Sequence, residues 1–222
     1  MKRLILKYKQ AWVFLYAFIY FPWFLYLEHH VTEDYYIIHS RLDDLIPFCE
    51  YFIIPYILWF AYMAGGMIYF LFFQPKKEFY KLTGFLFTGM TICLLICTIF
   101  PNGHNMRPVI DFDKNIFTRL VSFIYTADTN TNIFPSIHVF GTLGVHIALC
   151  ECSITKKYPA LKIISAILAC AICLSTVFLK QHSCLDVFGG IVLASIMYLI
   201  IYMPKNFATG TQRSLKYRLN KN

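Results

Sequence analysis

Charged residues are scarce in this chain, and their scarcity excludes a water-soluble globule. Asp, Glu, Lys and Arg make up 14% of the 222 residues, whereas hydrophobic residues make up 58%. Such a composition cannot cover a globule with polar surface, but a bilayer accommodates it, because about 20 consecutive apolar residues form one spanning helix. The sequence therefore predicts an all-α, polytopic membrane protein.

Patterns typical of metal ligands and disulfide frameworks are also missing. Most of the eight Cys residues lie inside apolar runs, where Cys acts as a small hydrophobic residue. Neither Cys150-x-Cys152 nor Cys170-x-x-Cys173 has a partner pair with His at zinc spacing, and no carboxylate cluster suits Mg²⁺. We therefore expect no metal site and no cofactor.

Six apolar runs predict a six-transmembrane-helix bundle in a single membrane-embedded domain, residues 1–222. The predicted spans are, in chain order, 11–27, 46–73, 83–101, 135–151, 160–180 and 182–203. No long linker or low-complexity segment interrupts them. Within the loop 102–134, residues 114–127 predict one more helix.

The net charge of +8 is spread around the apolar runs, which argues against nucleic acid as a partner. Fifteen of the 20 basic residues fall in alternate segments: Lys2, Arg3, Lys7, Lys9, Lys76, Lys77, Lys81, Lys156, Lys157, Lys162, Lys205, Arg213, Lys216, Arg218 and Lys221. By the positive-inside rule, both termini are cytoplasmic in a multi-pass protein of the cell membrane. The loops 28–45, 102–134 and around 181 then face the extracytoplasmic side.

The first polar island, Phe134-Pro135-Ser136-Ile137-His138, precedes the fourth predicted span. Ser136 after Pro135 is a good N-cap, and helix N-termini of this kind bind phosphate. His138 lies in the first turn, within reach of a bound group. The alternative is an ordinary cap with a His that faces lipid headgroups.

The second island, Lys180-Gln181-His182-Ser183-Cys184-Leu185-Asp186, lies where the fifth and sixth spans meet. His182 and Asp186 are four residues apart and share a helix face. A carboxylate can hold one imidazole N–H and leave the other nitrogen free as a nucleophile or base. The alternative is a buried His–Asp pair that satisfies itself.

Arg107-Pro108 lies in the long outward loop. An Arg in a rigid loop can bind phosphate oxygens bidentately, although a single loop Arg is usually just solvated. With Lys180 and the N–H groups near Ser136, it completes a predicted phosphate-handling site.

The ordered set of motifs resembles the type 2 phosphatidic acid phosphatase superfamily of integral-membrane lipid phosphatases and phosphotransferases. The resemblance rests on Arg107-Pro108, on Pro135-Ser136-Ile137-His138, and on Ser175, His182 and Asp186 at the family's spacing. The family's usual Lys, Gly and Arg positions are occupied by Phe100, Ile137 and Thr176. The Phe-Pro-Ser-Ile-His form is also similar to the inositolphosphoceramide-synthase-like branch, which transfers rather than hydrolyses.

The resemblance implies a mechanism and a set of roles. His182 would attack phosphorus to form a phosphohistidine, Asp186 would orient it, and His138 would protonate the leaving alkoxide. Arg107, Lys180 and Ser136 would bind phosphate. The implied partners are a lipid phosphate substrate and membrane lipids, and a homo-oligomer is left open.

Three functions compete on this evidence. The first is an extracytoplasmic-facing lipid phosphatase that acts on a phosphomonoester or a pyrophosphate. The second is a phosphotransferase that moves a phosphorylated headgroup to another lipid or to a polyol. The third is a non-enzymatic membrane protein, such as a small transporter or a catalytically degenerate family member.

Overall fold

The computed structural model describes residues 8–203, which are almost entirely helical. The helices are, in chain order, α1 (Ala17–His30), α2 (Arg41–Leu45), α3 (Ile53–Phe73), α4 (Lys76–Ile99), α5 (Ile116–Ala127), α6 (Ile137–Glu151), α7 (Ser153–Lys157), α8 (Ala160–Phe178) and α9 (Cys184–Ile201). A 3₁₀-helix, Lys9–Tyr16, leads into α1, and another, Glu50–Phe52, precedes α3. The first seven residues and the basic tail 204–222, which carry part of the predicted charge bias, lie outside the described residues.

Within residues 8–203, five helical segments are long and apolar enough to cross a membrane: Lys9–His30, Glu50–Phe73, Lys76–Ile99, Ala160–Phe178 and Cys184–Ile201. They agree with an all-α membrane protein. The predicted count of six is not confirmed, because α6 has 15 residues. A helix of that length extends roughly 22 Å, against a hydrocarbon core of about 30 Å.

The predicted boundaries were partly wrong. The third span was predicted to begin at residue 83, but α4 begins at Lys76, directly after Pro75. The charged first turn reads as a loop in the sequence, yet Glu78 there complements the helix dipole. The prediction of a helix at 114–127 is confirmed by α5, where the Asn115 side chain caps the N–H of Thr118.

Helix α6 is central to the bundle and packs against α3, α4, α8 and α9. Its Phe140 ring lies against α4 at Gly89, where an added Cβ would come within 1.9 Å of the ring. The same ring stacks on Phe85, with centroids 5.1 Å apart. Small residues allow such close helix contacts inside a membrane, so the glycine fixes the depth at which α6 sits against α4.

The long loops meet at one end of the bundle. Strand β1 (Tyr36–Ile37) pairs in parallel with β2 (Asn102–Gly103). The Asn102 side-chain oxygen accepts hydrogen bonds from the N–H groups of Ile133 (3.0 Å) and Phe134 (2.8 Å). These contacts hold the segment before α6 in place, and that segment carries the first polar island.

Candidate active site

Two helix starts bring His138 and His182 together. His138 is the second residue of α6, and His182 directly precedes Ser183, the N-cap of α9. Nδ1 of His138 lies 3.3 Å from Nε2 of His182. The two islands, 44 residues apart in sequence, therefore form one site.

Asp186 connects both helix starts. Its Oδ2 accepts a hydrogen bond from the Ser183 N–H at 2.7 Å and lies 3.5 Å from Nδ1 of His182. Its backbone carbonyl accepts from the N–H of Ser136 at 3.1 Å. Asp186 is fully buried. The structure thus places the three predicted catalytic residues in contact order: carboxylate, His182, His138.

The geometry favours one pair of tautomers. If Nδ1 of His182 carries its proton toward Asp186, then Nε2 of His182 keeps a lone pair and accepts from the Nδ1–H of His138. The His138 ring is itself held between Tyr56 and Trp59, with centroids 4.8 Å and 4.3 Å away. In this arrangement His182 has a lone pair at Nε2 and His138 has a proton at Nδ1.

Ser136 confirms the predicted N-cap and shows what the cap does. Its hydroxyl accepts from the N–H of Val139 at 3.3 Å. Its carbonyl oxygen lies close to α9 at Gly190, where an added Cβ would approach to 2.9 Å. Ser136 is fully buried, and its own N–H is bound to Asp186. Its role in the structure is to join α6 to α9, and phosphate binding by this residue stays a prediction.

Arg107 lies near the site, but its donors are already engaged. Nη1 donates to the carbonyl of Tyr125 at 3.1 Å, and Nη2 donates to the carbonyls of Asp128 (2.8 Å) and Thr129 (2.7 Å). Nη2 also donates to the side-chain oxygen of Gln181, the neighbour of His182. The guanidinium thus holds the end of α5 against the second island. Direct phosphate binding would require it to release some of these acceptors.

The Lys180 ammonium points to a different part of the structure. It donates to the carbonyls of Asp43 (2.6 Å) and Ile46 (2.5 Å) in the segment around α2. The residue adopts a left-handed conformation with φ 52°, which turns the chain between α8 and α9. The structure therefore does not bring Lys180 to the two histidines as the sequence predicted; its acceptors lie on a distant segment.

Asp43 is a site residue that the sequence reasoning missed. It accepts from the Ser183 hydroxyl at 2.6 Å and from the Cys184 N–H at 2.8 Å. Burial alone would raise the pKa of Asp43, but the bonds from Cys184, Ser183 and Ser40 lower it below its ordinary value. The spacing of Ser40 and Asp43 signals a capping box, yet nothing local reveals the long-range partners.

His104 is a second residue whose role was missed, although it stands three residues before Arg107. Its Nδ1 accepts from the Met106 N–H at 3.1 Å, so its Nε2–H donates to the carbonyl of Gln181, also at 3.1 Å. Burial, together with the charges of Arg107 and His182, lowers the pKa of His104 to about 3. His104 is therefore a neutral, fixed support for the residue that precedes His182.

The two histidines line a large cavity of about 580 Å³. Its walls are mostly aromatic and aliphatic and come from α1, α3, α4 and the preceding 3₁₀-helix. Its polar lining residues are Glu28, Asp128, Thr129, Thr131, Asn132, His138, Gln181 and His182. An apolar chamber with two histidines at a polar end suits an amphiphile whose chain is buried while its head reaches the nitrogens.

Within residues 8–203, no group of three or more His, Cys, Asp or Glu side chains is arranged to hold a metal ion. The site brings together two imidazole rings and one carboxylate.

Comparisons with known proteins returned nothing: no protein-family model, no curated protein and no solved structure matches this chain.

Proposed function

We propose that this chain is an integral-membrane, metal-independent lipid phosphatase with the phosphohistidine chemistry of the type 2 phosphatidic acid phosphatase superfamily. The observation that carries the proposal is the 3.3 Å contact between His138 and His182, with Asp186 behind His182 and an apolar cavity in front. A nucleophile backed by a carboxylate beside a proton donor is the set that phosphoryl transfer through a covalent intermediate requires.

In the first step, the lone pair on Nε2 of His182 attacks phosphorus, and the bond from phosphorus to the lipid oxygen breaks. His138 enters this step protonated on both nitrogens, with the anionic substrate stabilising its charge. Its Nδ1 proton moves to the departing alkoxide, which leaves as an alcohol, and His138 becomes a neutral imidazole. The phosphorylated imidazole gains positive charge, which the Asp186 carboxylate at 3.5 Å stabilises.

In the second step, His138 accepts a proton from water, and the resulting hydroxide attacks phosphorus. The nitrogen–phosphorus bond breaks and releases phosphate, which restores the neutral His182 and the protonated His138. Neither step requires an external oxidant, reductant or metal.

A phosphotransferase is the second candidate, and the size of the cavity favours it. A volume of about 580 Å³ is many times the roughly 30 Å³ that one water occupies, so an acceptor alcohol fits beside the intermediate. An alcohol in place of water in the second step gives transfer rather than hydrolysis.

We place the site on the extracytoplasmic side of the cell membrane. The support is the charge bias, in which 15 of the 20 basic residues fall in the segments assigned to the cytoplasm. A lipid could then reach the cavity laterally, with its chains in hydrocarbon and its phosphate at headgroup level.

The test is the purified full chain in detergent with EDTA and a panel of phosphatidic acid, phosphatidylglycerol phosphate and a polyprenyl diphosphate. Free phosphate reports hydrolysis, and phosphorus on an added alcohol reports transfer. We expect His182→Ala to abolish both and His30→Ala, at an exposed histidine, to leave both intact. Loss of turnover with EDTA and its recovery with Mg²⁺ would contradict the mechanism, and a folded chain that turns over no lipid phosphate would favour the degenerate alternative.

A further inference from the structure

The charged side chains that line the cavity are acidic, which is unusual for a site that binds phosphate. Among the described residues that line it, Glu28 and Asp128 carry charge, and none is Lys or Arg. The two carboxylates are adjacent through Thr129, whose N–H donates to Glu28 at 3.1 Å. A dianionic phosphate entering this chamber meets like charge at its polar end.

Glu28 is buried and positioned by donors. The hydroxyl of Thr129 donates to its Oε2 at 2.6 Å, and the side-chain amide of Asn132 donates to its Oε1 at 3.3 Å. Burial disfavours the ionised carboxylate, and the three hydrogen bonds from donors favour it. Glu28 is 7% exposed, so its charge is poorly screened by water.

Both cations predicted for the site have their donors engaged by other groups, and the acceptors of Arg107 include residues that line the cavity. Arg107 donates to three carbonyls and to Gln181, and the Lys180 ammonium binds the carbonyls of Asp43 and Ile46. Asp128 keeps its carboxylate toward the cavity side, where Oδ2 accepts from the Tyr56 hydroxyl at 2.8 Å.

The cavity also offers aromatic surface to a cation. The wall beside the carboxylates is aromatic and includes Tyr20, Phe24 and Trp59. Aromatic faces attract ammonium groups, most strongly when water is excluded.

We infer that the substrate of this site is a zwitterionic lipid phosphate, with an ammonium group close to its phosphorus that Glu28, Asp128 and the aromatic wall receive. The inference rests on the proposed function and adds the substrate class. The cation offsets the phosphate charge, so the ligand enters with little net charge and needs no Lys or Arg in the chamber. The ammonium can lie on the headgroup, as in a phosphocholine diester, for which the second step releases phosphocholine, or on the chain, as in a long-chain amino-alcohol phosphate, for which it releases phosphate.

The test measures binding rather than turnover, in the full-length His182→Ala chain in maltoside micelles. Dodecylphosphocholine is compared with dodecyl phosphate and with dodecyl 3,3-dimethylbutyl phosphate, the diester in which carbon replaces the quaternary nitrogen. Displacement of one fluorescent alkyl probe by the three lipids separates the effect of the cation from that of the phosphate charge. We expect the phosphocholine to displace the probe at a mole fraction roughly tenfold lower than the lipids without a cation require. A difference of that size is of the order of one desolvated cation contact. Sphinganine 1-phosphate, as a third probe, distinguishes a cation on the chain from one on the headgroup.

Glu28→Gln should reduce the preference to within about threefold, since the amide oxygen still accepts from Thr129 but carries no charge. Glu33→Gln, at an exposed loop position, is the matched control and should retain the preference. If Glu28→Gln does not fold, Asp128→Asn takes its place, and His182→Asn replaces His182→Ala if needed. Equal or tighter binding of dodecyl phosphate, or an unchanged preference in folded Glu28→Gln, would overturn the inference.

The substrate class and the proposed function can fail independently of each other. Turnover of anionic lipid phosphates without a zwitterion preference would leave the phosphatase proposal standing and overturn the substrate class. A preference for zwitterions with no turnover of any lipid would support the binding site and remove the enzyme.

Discussion

Replacing Asp186 by Asn removes one charge from the site while preserving its shape. The Asn side-chain oxygen can still accept from the Ser183 N–H, which Asp186 binds at 2.7 Å, so the start of α9 stays capped. The carboxylate that lies 3.5 Å from Nδ1 of His182 is lost. The substitution therefore tests the electrostatic support of His182 separately from the fold.

The expected loss of kcat follows from the distance between the Asp186 carboxylate and His182. Two unit charges 3.5 Å apart interact by roughly 5 kcal/mol at an effective dielectric constant of about 20. Positive charge develops on His182 as the nitrogen–phosphorus bond forms, so most of this energy belongs to the transition state. At about 1.4 kcal/mol per factor of ten, we expect kcat to fall roughly 10³-fold.

The assay compares kcat of Asp186→Asn with that of Asp113→Asn, which removes a carboxylate whose side chain is 90% exposed. Thermal melting in the same detergent verifies that both variants are folded. A folded Asp186→Asn chain whose kcat lies within tenfold of the unsubstituted chain would refute the assigned role of the carboxylate.

Three further predictions address the residues around the site. Asp43→Ala removes the carboxylate that accepts from the Ser183 hydroxyl and the Cys184 N–H. It should lower the free energy of unfolding by about 1–3 kcal/mol and reduce kcat, whereas Asp44→Ala next to it should do neither. An unchanged melting temperature in Asp43→Ala would contradict this prediction. Because the pKa of His104 is lowered to about 3, the unfolded chain binds a proton below pH 6.5 that the folded chain does not, and the free energy of unfolding should fall as pH drops from 6.5 toward 3. Denaturant titrations at several pH values should show a shallower fall of this free energy in His104→Gln. An identical dependence on pH in the two chains would be evidence against a neutral His104. In a Cys-depleted chain, Asn130→Cys should react with an impermeant thiol reagent on intact cells and Lys157→Cys only after permeabilisation, and the opposite pattern would invert the topology.

The sequence predicts the parts of the site that depend on local spacing. The four-residue separation of His182 and Asp186 places both side chains on one face at the start of α9, and the N-cap at Ser136 is confirmed. The meeting of His138 with His182 required the family resemblance, because nothing local sets the distance between two helices. Helix content was predictable from composition, since only helices satisfy the backbone along such apolar runs.

The positions of the cations could not be predicted in the same way. Arg107 and Lys180 bind carbonyl groups, and every backbone offers carbonyls, so their partners depend on which segments fold next to them. The start of α4 was missed because Lys76, Lys77 and Glu78 resemble a polar loop, although long Lys side chains can extend from a span toward the interface. The acidic lining of the cavity was missed for a related reason: Glu28 and Asp128 are 100 residues apart and meet only through Thr129.

The central claim is that His182 carries the phosphorus during turnover, and trapping the intermediate tests it most directly. The full chain is mixed with a radiolabelled lipid phosphate, quenched in alkaline denaturant within one turnover, and digested. We predict label on the peptide that begins at Gln181, stable in alkali and lost in acid, and no label in His182→Ala. Turnover in folded His182→Ala, or label on a residue other than His182, would contradict the account.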